Sequence, residues 1–214
     1  MKHLKRFNEM AVIAAYDFTE ALDKMRATEN ITLDYLKEIF DDINVEFVNV
    51  EYFKSQLQTK KEIELVPVNM PPLMGGIRWG AHNVYTNKMY ICIDENVFLR
   101  SINSQMKPQL LDFLEEVLRH ESIHKQQAQK RPDVTVRNLE RSPNDPKKYF
   151  GSTDEIMAYA DSFIVQCRKR GLTDDDIIDA LRGGKKVSWI QNVYSKMDLE
   201  TQKRFKKYVY QYIK

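Results

Sequence analysis

The chain has 214 residues, with 33 Lys plus Arg against 31 Asp plus Glu and a formal net charge of +2. A composition of 43% hydrophobic and 11% aromatic residues can build a packed core, which excludes wholesale disorder, and near-neutrality gives no general argument for a nucleic-acid partner. Two cysteines, Cys92 and Cys167, are too few for a disulfide framework and match no paired-cysteine zinc pattern, so a reducing compartment is the default.

The N-terminus has a basic start and a short apolar run from Met10 to Tyr16. Asp17, Glu20 and Asp23 follow at once, where a signal peptide would continue an apolar stretch of roughly 7–15 residues to a small-residue cleavage site. No segment approaches the ~20 apolar residues of a membrane span. The expectation is a protein without a signal peptide, retained in the cytoplasm or packaged in a particle. Phe7, Met10, Ala14, Phe18, Leu22 and Met25 recur at helical spacing over residues 3–27. Thr32 is placed to cap a second helix carrying Leu33, Leu36, Ile39 and Phe40.

The texture then changes to short β-branched and aromatic runs. Val45–Tyr52, Glu62–Val68, Ile77–Tyr85 and Met89–Ile93 read as strands, the last two joined by a turn at Thr86-Asn87-Lys88. Proline and glycine make Met70–Gly76 irregular. Helices return after residue 97. Pro108 suits the first turn of a long helix over about 109–129, with Pro132 as its stop. Arg137–Lys148, with Pro143 and Pro146, reads as a loop. Ser152 opens the next helix and Gly171 ends it; Thr173 opens another that stops at Gly183-Gly184. A basic, aromatic helix around Phe205, Tyr208, Val209 and Tyr212 closes the chain. Helices, then a small sheet, then helices argue for an α+β fold. The divisions are an N-terminal helical segment (1–43), a core (44–171) and a C-terminal helical segment (172–214), expected to form one compact domain.

One motif carries chemistry. His120-Glu121-Ser122-Ile123-His124 is an H-E-x-x-H sequence in the middle of the long helix. Residues four apart share a helix face, so both imidazoles can reach one ion, and neutral imidazole suits Zn²⁺. Glu121 points roughly 100° around the helix, beside the ion, where it can take a proton from metal-bound water and pass it to a leaving amine. With four histidines in the chain the motif can arise by chance. The apolar turns before it (Leu110, Leu111, Phe113, Leu114, Val117, Leu118) nevertheless favour a buried helix over a solvated face. A catalytic zinc site has three protein ligands, and Glu155 is the favoured third, in the first turn of the next helix. Asp154 is a rival, and Asp161 could instead brace a histidine from behind. Ser152 and Glu155 also form S-x-x-E, in which the glutamate would only cap the helix.

Together, His120–His124 and the later Asp154-Glu155-Ile156-Met157-Ala158-Tyr159-Ala160 resemble the zincin-like metallopeptidases of the glutamate-ligand type. In particular they are similar to small zincin-like proteins of bacteriophages and bacteria, in which an E-x-x-A-x-A helix follows the motif. The resemblance covers about residues 84–170. It implies a small twisted sheet with an active-site helix and flanking helices at both ends. It also implies Zn²⁺ on His120, His124 and Glu155, Glu121 as general base, and a peptide or protein substrate. An edge strand above the active-site helix is expected to pair with an extended substrate, with Met89–Ile93 as its counterpart. Tyr149, Tyr159, Arg141 and His82 are available to stabilise an oxyanion, each with a structural role as the competing reading. The reading of a different class is a virion component or other interaction protein that keeps the scaffold without peptidase activity, binding virion or host proteins through its helical ends. His82 reads as a surface or packing residue of a strand, and Cys92 as a small core or strand side chain. Lys203-Arg204-Phe205-Lys206-Lys207-Tyr208 reads as the solvated side of an amphipathic helix, not as a nucleic-acid site.

Overall fold

Helix boundaries follow from capping chemistry that the chain carries locally. In the computed structural model, which describes residues 18–53, 55, 73–83, 85–131, 152–184 and 197–213, α1 spans Thr19–Ala27 and α2 spans Leu33–Phe40. The Thr32 hydroxyl accepts the Tyr35 amide, as a cap at that position should. Residues 3–17 of the first expected helix, the strand Glu62–Val68 and the loop Arg137–Lys148 lie outside the described residues.

Strand β1 covers Val45–Asn49, three residues shorter than expected. The Asn49 side chain accepts the Tyr52 amide at 2.7 Å and turns the chain into a single helical turn, α3, Val50–Tyr52. Strand β2 is Ile77–His82 and β3 is Met89–Ile93. Strand β2 stops at His82 because Asn83 begins the turn: its side-chain oxygen accepts the amides of Tyr85 and Thr86, and its own amide donates to the Lys88 carbonyl. Asn87 closes the turn with φ at 58°, a left-handed conformation that asparagine tolerates.

The sheet order is β1-β3-β2, with β1 parallel and β2 antiparallel to β3. Strand β3 is therefore the centre of the sheet. This corrects the expectation that Met89–Ile93 is an edge strand: its backbone pairs with β1 on one side and β2 on the other, leaving no free side for a substrate. Its five residues are all buried, as a central strand's are. Side chains alternate between two layers. Val45, Phe47, Ile77, Met89, Ile91 and Ile93 join the main core, while Val48, Trp79, Ala81, Tyr90 and Cys92 pack with Phe53 in a second cluster.

After β3, the Asp94 side chain caps a further helix, α4, Glu95–Ile102, which begins ahead of the expected return of helices after residue 97. Helix α5 then runs Lys107–Lys130, with Pro108 in its first turn. It packs on β2 and β3 and contributes Leu110, Leu111, Leu114, Val117 and Leu118 to the main core. These elements form one compact unit, within Glu9–Pro146.

A second unit lies within Lys147–Lys214. Helix α6, Thr153–Lys169, is followed by Gly171 at φ 77°. Helix α7, Asp174–Arg182, starts with a capping box between Thr173 and Asp176 and ends at Gly183, φ 89°. Both glycines take the left-handed conformation that terminates helices. Helix α8, Leu199–Ile213, buries Thr201, Phe205 and Val209 at intervals of four and leaves Lys203 and Lys207 exposed. Its core is Ile156, Ala160, Phe163, Ile164 and Cys167 against Ile177, Leu181, Phe205 and Val209. The described residues are thus α+β, with eight helices and a three-stranded mixed sheet, and no helix among them is long and apolar enough to cross a membrane.

Leu114 is fully buried where α5 meets the sheet. Leu114→Ala should lower unfolding free energy by about 2–5 kcal/mol, read by urea denaturation, through lost transfer energy and the cavity left behind.

Candidate metal centre

Helix α5 is buried along one side because its apolar residues face β2 and β3, and the motif lies on a stripe that borders this buried side. Val117, His120, His124 and Gln127 follow at intervals of three and four, so they project from one face. The two motif histidines come together. Their Nε2 atoms are 3.0 Å apart, and the rings meet edge to face with centroids at 4.7 Å. Two donors on one ion, with bonds of about 2.0–2.1 Å at a tetrahedral angle, lie roughly 3.3–3.4 Å apart, so a slight ring rotation converts the observed pair into a chelate. Two imidazole lone pairs cannot face each other at this distance without a proton or a cation between them. The pair fits a metal ion on that ground.

His124 is held from its other side. Its Nδ1 lies 3.0 Å from Oε1 of Gln127, a residue only 2% exposed. Sequence reasoning missed Gln127, although its position three residues after His124 places it on the same face.

Glu121 is buried at 7% exposure and lies against β2. The reason is visible at Gly80, where an added Cβ would sit 2.6 Å from Glu121 Cγ and 2.8 Å from its Oε1. Helix and strand approach this closely only because residue 80 has no side chain. Gly80 was likewise missed; a glycine inside a strand pattern is the signal that could have found it.

His82 follows Gly80 on the same face of β2 and is buried. Its Nε2 is 3.3 Å from Asn87 Oδ1, which also accepts Gln129 Nε2 at 3.3 Å, so the hairpin turn is tied to the end of α5. Burial, opposed in part by the Asn87 hydrogen bond, holds the His82 pKa at about 4. Of the surface and packing readings left open for His82, burial selects packing.

Glu155 stands in the first turn of α6, in the second unit, where the Ser152 hydroxyl accepts its amide and its own side chain is 1% exposed. An ionised carboxylate taken this far from water needs compensation by a cation, a proton or donors. Its rivals are also buried, Asp154 at 8% and Asp161 at 6% exposure. Of the residues considered for an oxyanion, Tyr159 is 37% exposed, and Arg141 and Tyr149 lie outside the described residues. Comparison with protein-family models, curated proteins and solved structures finds no match to this chain.

Two expectations follow. Gly80→Ala should cost about 1–3 kcal/mol from overpacking and force Glu121 away from β2; denaturation midpoints and a crystal structure of the variant check both parts. His82 is neutral in the folded protein and more basic when unfolded. Its contribution is therefore complete above the unfolded pKa, about 6.5, and is lost as pH falls towards about 4. Stability of His82→Gln measured between these limits should fall less steeply than that of the parent chain.

Proposed function

We propose that this chain is a zinc-dependent hydrolase of peptide or amide bonds, with His120, His124 and Glu155 holding the ion and Glu121 as general base. The observation that carries the proposal is the facing pair of His120 and His124 Nε2 atoms, 3.0 Å apart on one helix. Two imidazoles with one carboxylate as third ligand suit Zn²⁺ and leave a coordination position open. When bound, zinc supplies a Lewis acid that polarises a carbonyl and makes water more acidic.

The protein's own residues supply the rest. The rigid helix presents both imidazoles from one face, so little conformational freedom is lost when they act together. Glu121 follows His120 directly but projects to a different side, towards β2, which keeps it beside the ligands. From there its carboxylate accepts a proton from the attacking water and returns it to the leaving amine. Glu155 brings a negative charge that offsets part of the ion's charge.

Glu121→Gln should retain one zinc per chain while hydrolysis in a broad peptide screen falls by about 10²–10⁴-fold, measured by metal analysis and fluorogenic peptides on the same preparation. His120→Ala and His124→Ala should each abolish stoichiometric zinc, and Glu155→Ala should weaken it. Unchanged hydrolysis by Glu121→Gln would rule out the mechanism. Zinc without turnover in the parent chain would favour a scaffold role.

A further inference from the structure

We infer that Gln127 is a positioning residue that fixes the tautomer of His124. The inference rests on the metal-site reading above and adds a residue to it. A neutral imidazole has one N–H and one lone pair, and only the lone pair can bind a metal. The atom of Gln127 that faces His124 Nδ1, at 3.0 Å, is the amide oxygen, which accepts and cannot donate. Nδ1 must then carry the proton, and the lone pair falls on Nε2, the atom that faces His120 Nε2. Removing this acceptor takes away the contact that favours a proton on Nδ1, and a proton placed on Nε2 instead would first have to be displaced by zinc.

The surroundings make the contact decisive. Gln127 is 2% exposed, so water does not readily replace the amide oxygen, and Ala128 beside it is also buried. A buried amide confined in this way adds no charge next to a centre that already includes carboxylates. It also restricts ring rotation, because an imidazole N–H lies in the plane of its ring and turning the ring would carry it away from the acceptor. One turn of helix supplies both the ligand and the group that orients it, as the spacing of three residues allows.

The test reads the tautomer directly. Long-range ¹H–¹⁵N spectra of the metal-free protein should show His124 protonated at Nδ1. In Gln127→Met, which keeps volume and removes the amide acceptor, this preference should disappear, and the zinc dissociation constant from chelator competition should rise about 10–100-fold. Gln127→Glu keeps an acceptor oxygen and should restore the tautomer and most of the affinity. Protonation at Nε2 in the metal-free parent chain, or a Gln127→Met variant unchanged in both readouts, would overturn the inference. The parent spectrum decides the first point even if the methionine variant fails to fold. Failure of the metal reading itself looks different: the parent chain takes up no zinc while His124 still carries its proton on Nδ1.

Discussion

Two imidazole nitrogens held 3.0 Å apart on one helix are an electrostatic constraint that the rest of this protein accommodates. Two bare lone pairs at that separation repel; a proton or a metal ion between them reverses the sign. Keeping them there requires a helix that cannot rotate or fray. Helix α5 meets that requirement through Leu110, Leu114 and Leu118, which are fully buried in the main core, and through the Asn87 side chain that accepts Gln129 near its C-terminal end. The helix carries the site, and the sheet holds the helix.

The same packing sets the environment of the proposed base. Glu121 is buried because β2 comes close enough to cover it, and β2 can do so because position 80 is glycine. A larger residue there would separate strand and helix and open Glu121 to water. The central position of β3 contributes indirectly: paired on both sides and buried throughout, it anchors β2 in one register from Trp79 to His82. Residues three elements apart in the chain therefore determine one carboxylate's surroundings.

Local chemistry made much of this legible in advance. Thr32 and Thr173 cap helices where side-chain hydroxyls were expected to do so, Pro108 sits in the first turn of α5, and Gly171 and Gly183 take positive φ at helix ends. Met89–Ile93 matched as a strand, residue for residue. What was not legible depends on contacts distant in sequence. The parallel pairing of β1 with β3 joins residues 44 apart, from Val45↔Met89 to Asn49↔Ile93, and no local pattern specifies it. The edge position expected of Met89–Ile93 came from the family resemblance, and this pairing is what overturns it. In the site, the spacing of His120 and His124 predicted their convergence because helix geometry alone brings them together. Gln127 and Gly80 were missed for different reasons: one is an ordinary polar residue until its acceptor is seen to meet Nδ1, and the other acts through the atom it lacks.

The central claim is that a metal ion takes its ligands from the two motif histidines and one carboxylate. Zinc-edge X-ray absorption of the purified, zinc-loaded chain tests it most directly. The account predicts one zinc per chain, a nitrogen and oxygen shell at about 2.0–2.1 Å and outer-shell scattering from two imidazoles. In His124→Ala, that outer-shell signal should fall to one imidazole or vanish with the metal. A sulfur shell at about 2.3 Å, or zinc that still shows two imidazoles after His124 is removed, would contradict it.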